Sequence, residues 1–158
     1  MYLGGSVKRQ ESFGYQVNHL ARSLAQELRT RTLPHGVVPG QFAQLLALFE
    51  RDRVTQSELR EQVRIDQSTM AHTLKRMERD ELVERIPDPD DGRRALIVLT
   101  PRARALEDVL VQAAEETNAI ATAHFTDAEK QTLMGLIARA ITNLEAAQTG
   151  APNKEQGS

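Results

Sequence analysis

Residues 88–100 read Asp-Pro-Asp-Asp-Gly-Arg-Arg-Ala-Leu-Ile-Val-Leu-Thr, and they break the pattern on either side of them. The flanking sequence repeats its apolar residues at three- and four-residue spacings, as helices packed on one face do. Here an acidic turn with two arginines at its tip joins two strand-like runs, 82–86 and 95–99, the second rich in β-branched residues. A chain with helical periodicity on both sides of one hairpin is confined to mainly α folds that carry a small β-element.

The helices are legible from their stripes and caps. Phe13, Val17, Leu20, Leu24 and Leu28 lie on one face of a helix over 12–32, which Pro34, Gly36, Pro39 and Gly40 break. Phe42, Leu45, Leu46, Leu48 and Phe49 make a second helix, apolar around much of its circumference and therefore buried. Thr55-Gln56-Ser57-Glu58 is a capping box, with Val54 and Leu59 placed as its hydrophobic staple, and starts a short helix ending near Val63. Asp66 caps a fourth helix, from Gln67 to about Asp80. Thr100-Pro101 sets an N-cap before a proline at the first helical position and opens a long helix. Its stripe runs Leu106, Val109, Leu110, Ala113, Thr117, Ile120, Ala121 and His124. Thr126-Asp127-Ala128-Glu129 caps the last helix, 127–147, and the polar composition of 148–158 reads as a flexible tail.

On a helical wheel, Met70, Leu74 and Met77 share one face of the fourth helix. Ser68, His72, Lys75 and Arg79 take the other, with Thr69 and Arg76 beside them. Hydroxyls, an imidazole and cations are the groups that contact base edges and phosphates in a major groove. A charged face is more often plain solvated surface, so this helix decides nothing alone. Net charge does not help: residues 51–102 hold 11 of the 20 Lys+Arg and 11 of the 22 Asp+Glu, so placement rather than excess must attract DNA. What tips the balance is order. A short helix, a tight Arg64-Ile65-Asp66 junction, a second helix and a hairpin tipped by Arg93 and Arg94 follow one another as in a winged helix-turn-helix.

The segment VTQSELREQVRIDQSTMAHTLKRMERDELVERIPDPDDGRRALIVLTP, 54–101, resembles the MarR family of bacterial transcriptional regulators. Residues 68–85 resemble its recognition helix and DPDDGRRALIVLT its wing. The similarity extends over roughly 12–146. It implies a single domain over 12–147, with a winged helix core at about 40–100 and dimerisation helices at about 12–32 and 101–147. It also implies a homodimer on a pseudo-palindromic operator, acting as a repressor that a small aromatic or phenolic ligand releases. The pocket for that effector is expected between the dimer helices and the winged domain, with His19 and His35 as polar candidates. Two positions depart from the family pattern. Glu81 stands where Gly commonly closes the recognition helix, and His72 stands where Arg is common.

The expected DNA-binding residues are Thr55, Gln56 and Ser57 on phosphate at a helix N-terminus, and Gln67, Ser68, Thr69, His72, Lys75 and Arg76 on the recognition face. In the wing, Asp91 is expected to hold Arg93 in a forked pair, Gly92 to permit the turn, and Arg94 to lie nearer the DNA backbone. Other chemistries lack their residues. There is no Cys for a disulfide, thiolate or zinc site, and no HExxH spacing. A calcium loop from Asp88 would need Gly and Glu where Arg93 and Leu99 stand. No nucleophile motif or phosphate-binding glycine loop points to an enzyme or a cofactor. Without an apolar run near ~20 residues or a signal segment, a cytoplasmic protein with no membrane partner is expected. The rival function is an architectural DNA-binding protein that senses no ligand.

Overall fold

Ser12 accepts a hydrogen bond from the Tyr15 amide (3.3 Å) and caps α1, Phe13–Thr32. A 3-10 turn, Leu33–His35, ends on Gly36, which is left-handed at φ 74°. A Cβ there would meet Arg102 Nη2 at 2.8 Å, so glycine serves both the turn and the close approach. Pro39 and Gly40, expected to break the helices apart, instead begin α2, Pro39–Glu50; proline lacks the amide that the first helical position leaves unbonded in any case. The computed structural model describes residues 8–150, which divide into two units between Ala119 and Ile120.

In the first unit, β1 (Val54–Thr55) leads into α3 (Gln56–Val63), then α4 (Gln67–Arg79), β2 (Val83–Pro87) and β3 (Ala95–Leu99). The capping box at α3 is formed: Thr55 Oγ1 accepts from the Glu58 amide at 3.1 Å, and Glu58 Oε2 accepts from the Thr55 amide at 3.0 Å. The sheet is antiparallel in the order β1-β3-β2, with Val54 opposite Ile97 and Val83 opposite Leu99. β2 starts one residue later than expected because Leu82 closes the preceding helix. β1 was not expected at all; two residues are too few to show a period of two.

The core draws on every element of this unit after α1. Leu45 and Leu48 of α2, Leu59 of α3, Met70, Leu74 and Met77 of α4, and Ile97 of β3 are fully buried together. Leu28 of α1 packs against them, half-buried. Truncating one such residue, Leu74→Ala for example, costs about 2–5 kcal/mol.

The helix expected to run on from Thr100 is interrupted. α5, Pro101–Ala105, ends where the Leu106 amide bonds back three residues to Ala103 O, and α6, Glu107–Ala121, follows. α6 stops short of His124, which was expected in the stripe but is left-handed (φ 67°) and lies beyond the helix. In the second unit the Thr126–Glu129 capping box starts α7, Asp127–Thr149. This helix covers Gln148 and Thr149, which were expected in the tail; the rest of that expected tail, 151–158, lies outside the described residues. No residue of α7 is buried.

Candidate nucleic-acid interface

Asp66 builds the start of α4. Its Oδ1 accepts from the Thr69 amide (2.8 Å) and from Ser68 Oγ (2.8 Å), and its Oδ2 accepts from Thr69 Oγ1 (2.6 Å). The Thr69 hydroxyl and amide, then Ser68, hold the carboxylate well below its ordinary range. Both hydroxyls expected to meet DNA therefore already donate to the cap. They remain exposed and keep their acceptor lone pairs. Gln67, His72, Lys75 and Arg76 are exposed along the same face, while Met70, Leu74 and Met77 hold the other side in the core.

At the start of α3, Thr55 and Gln56 are half-buried and Ser57 is exposed. Gln56 Oε1 accepts from Arg85 Nη1 (2.9 Å), and Arg85 Nε donates to Glu78 Oε1 (2.7 Å). One strand arginine thus ties the wing to both helices of the helix-turn-helix. Arg85 was not singled out in the sequence, since nothing local links positions 56, 78 and 85.

α4 ends at Arg79 in a left-handed closure. Glu81 has φ 58°, the Leu82 amide bonds Met77 O (2.9 Å), and the Glu81 amide bonds Glu78 O (3.1 Å). The geometry that favours glycine is kept although glutamate occupies it. The segment is clamped from three sides. Thr100 Oγ1 donates to Glu81 O (2.7 Å), Gln41 Nε2 to Asp80 Oδ2 (2.8 Å), and Arg102 Nη1 to Asp80 O. The bond from Gln41, with a smaller part from Arg79, lowers the Asp80 carboxyl below its usual range.

The wing departs from expectation in detail. Asp91 Oδ1 accepts from the Arg93 amide (3.1 Å) and lies 3.4 Å from Arg93 Nε, a single contact rather than a fork. The Arg93 side chain is 94% exposed. Arg94 is the arginine held more firmly. Its Nη2 donates to Asp88 Oδ2 at 3.0 Å, and its Nε lies 3.9 Å from Asp91 Oδ2. Asp88 is 6% exposed and also accepts from the Asp90 amide (2.9 Å); that bond, then Arg94, lowers its carboxyl. A carboxylate read in sequence as turn-forming is therefore the anchor of the tip. Gly92 is not left-handed, and a Cβ there would meet nothing within 4 Å.

The two histidines sit on different elements, α1 and the 3-10 turn that follows it. His19 is exposed on α1, with its ring 6.5 Å from that of Tyr15. His35 is half-buried, and its carbonyl accepts from Arg102 Nη2 at 3.1 Å. Two clefts adjoin α1 without either of them. One, about 400 Å³, is lined by Gln26, Arg29, Thr30, Leu33 and Pro34. The other, about 530 Å³, reaches from Arg22, Gln26 and Arg29 to Arg76 of α4. No described helix is long and apolar enough to cross a membrane.

The sequence profile of the MarR family matches residues 38–95. The HTH-type transcriptional repressor NicR of Pseudomonas putida is 27% identical over 136 residues, 84% of this chain and 86% of its own. The structure of a probable transcriptional regulator from Pseudomonas aeruginosa is 32% identical. It superimposes with a TM-score of 0.76 over 84% of this chain and 99% of that one. The PcaV transcriptional regulator from Streptomyces coelicolor, solved in complex with its natural ligand, is 25% identical. Its TM-score is 0.75 over 88% of this chain and 98% of that one.

Proposed function

The chain belongs to the MarR family of winged helix DNA-binding regulators, which are not enzymes, and from that premise we propose a homodimeric cytoplasmic repressor released from its operator by a small ligand. One observation carries the DNA reading. α4 buries Met70, Leu74 and Met77 and presents Gln67, Ser68, Thr69, His72, Lys75 and Arg76, while Arg85 holds the wing in register with it. A helix with its apolar side in the core and its polar side bare, braced by a β-ribbon, suits a major groove with Arg93 at the adjacent minor groove. Thr55, Gln56 and Ser57 at the start of α3 are the phosphate contacts, and Asp91 and Arg94 complete the wing.

Dimerisation draws support from α7, which has no buried residue yet exposes Met134, Leu136, Ile137, Ile141 and Leu144. α1 likewise exposes Phe13, Val17 and Leu20. Such area needs a cover, and a second copy supplies one with two-fold symmetry. The repressor and ligand parts are carried by likeness to NicR and to PcaV. The test is fluorescence anisotropy on duplexes selected by the protein from a random pool, with and without aromatic acids and phenols. Selected sites should be pseudo-palindromic, with half-sites about one turn apart, ~34–36 Å. Selection of no sequence sinks the operator reading. Selection with no ligand effect at all favours the architectural one.

A further inference from the structure

We propose that Arg102 is a positioning residue for DNA recognition: it joins the end of α4 to the turn after α1 and so fixes the pose in which the recognition helix meets DNA. The proposal rests on the reading that α4 enters a major groove as one of a two-fold pair, and names what holds it in place. Arg102 belongs to α5. Its Nη1 donates to the carbonyl of Asp80, the residue that closes α4. Its Nη2 donates to the carbonyl of His35 at 3.1 Å, in the 3-10 turn that follows α1. Three segments far apart in sequence therefore meet on one guanidinium.

Its partners set Arg102 apart from the chain's paired arginines. Arg31 meets Glu27 and Glu116, Arg79 meets Asp80, Arg85 meets Glu78, Arg94 meets Asp88 and Arg104 meets Asp52, carboxylates in every case. Arg102 instead gives its two terminal nitrogens to main-chain carbonyls of two other segments. A planar fork with donors in fixed directions holds two acceptors at a set separation. A cation also suits the carbonyl end of a helix, where the dipole is negative. The neighbours are fitted to it. Gly36 is left-handed, and a Cβ on it would lie 2.8 Å from Arg102 Nη2, so the turn leaves room for the guanidinium. From α2, the buried Gln41 donates to Asp80 Oδ2 at 2.8 Å while accepting from the Val38 amide at 3.3 Å. Asp80 is thus held by its carbonyl from α5 and by its carboxylate from α2.

Arg102 is exposed, so its bonds compete with water and contribute little to folding. What they fix is direction. Met70, Leu74 and Met77 seat α4 in the core, and directional hydrogen bonds then set how its last turn lies against the turn after α1. α4 has 13 residues and is about 20 Å long, so a tilt of about 3° at its last turn moves its first turn by about 1 Å. Precise recognition tolerates about half of that. In a two-fold pair the same tilt acts at both half-sites and changes their separation.

Anisotropy on the duplex selected by the wild type, and on versions with its half-sites one base pair closer or further apart, tests the role. Wild type should prefer its selected spacing. Arg102→Ala should bind that duplex about two- to thirtyfold more weakly, the range of effects transmitted without contact, and discriminate less among the spacings. Its salt slope should match the wild type, because no phosphate contact is lost. Its melting temperature should stay within about 5 °C of wild type, which separates a positioning defect from a folding one. Arg102→Lys keeps the charge without the fork and should recover little of the loss. Gly36→Ala should weaken DNA binding in the wild-type background, by displacing the guanidinium, and weaken it no further in Arg102→Ala. A salt slope reduced by about one in Arg102→Ala would make the residue a phosphate contact and overturn the proposal. Full recovery by lysine, or additive losses from Gly36→Ala and Arg102→Ala, would overturn it too. A wild type that selects no sequence sinks the operator reading and the positioning role with it. A wild type that selects one, matched in affinity and spacing preference by Arg102→Ala, removes the positioning role alone.

Discussion

The Leu82 amide reaches back 2.9 Å to Met77 O, across a Glu81 held at φ 58°. This closure turns the chain from α4 into β2, with Met77 and Leu82 both fully buried beneath it. A left-handed glutamate costs about 1–2 kcal/mol. Glycine removes that cost but loses more entropy on folding. Glu81→Gly should therefore raise stability by about 1 kcal/mol, which for a chain of this size is about 2–4 °C in melting temperature. Calorimetry showing no gain would mean the glutamate side chain repays its strain.

In the wing, Asp88 rather than Asp91 should matter most. Asp88→Ala removes a negative charge near DNA, so Coulomb attraction alone expects tighter binding. The structure expects weaker binding, because Arg94 and the Asp90 amide lose their shared acceptor and the tip loosens. Arg93→Ala should weaken operator binding severely while leaving folding intact, since its side chain is 94% exposed and meets only Asp91. Asp91→Ala should weaken it mildly, and Gly92→Ala should be tolerated. Tighter binding by Asp88→Ala at every salt concentration would overturn the anchoring role.

The carboxyls of Asp66, Asp80 and Asp88 all lie below their ordinary value of 3.8 in the folded chain. A lowered folded-state pKa contributes stability that is fully present above the unfolded value and is lost as pH falls through the folded one. Melting temperature should therefore hold near neutral pH and decline below about pH 4. Asp66→Asn preserves a good cap without the charge, so its deficit against wild type should shrink as the medium is acidified. A deficit that is constant with pH would show that charge plays no part at this cap.

On the recognition face, His72 and Lys75 should part company. His72→Ala should change which operator variants bind best, with base-dependent losses of about 1–3 kcal/mol. Lys75→Ala should weaken all variants alike and reduce the salt slope by about one. Equal, unselective losses from both would count against base reading by His72.

How much of this was legible in the sequence depended on range. The caps at Ser12, Thr55, Asp66, Thr100 and Thr126 each lie within three residues of the amide they bind. Local spacing therefore located the helices, and their order suggested which face would meet DNA. The wing tip was half legible: Asp91 to Arg93 is local, but Asp88 becomes an anchor only once the tip folds back and buries it. The links from Arg85 to Gln56, from Gln41 to Asp80 and from Arg22 and Arg29 to Arg76 span 29 or more residues. No periodicity encodes them. The histidines were chosen for their chemistry, and the two clefts described along α1 carry arginines in their lining.

α7 makes the strongest demand on what lies outside one chain. It runs 23 residues without burying one of them and exposes Met134, Leu136, Ile137, Ile141 and Leu144. Most helical stability in proteins comes from packing an apolar face. A helix that buries no residue, yet carries a stripe of large apolar residues, is expected to gain that packing from another copy. Ile137→Asp with Ile141→Asp would place two charges in such an interface. Burying unpaired charge is costly enough that the pair should abolish association while the core of the first unit, which contains neither residue, still folds. Light scattering should give a dimer for wild type and a monomer for the double variant, and circular dichroism should show reduced helix content. The monomer should also lose most operator affinity, because each half-site is then bound alone. A wild-type monomer at micromolar concentration, or a double variant that remains dimeric, would leave α7 without the partner its sequence requires.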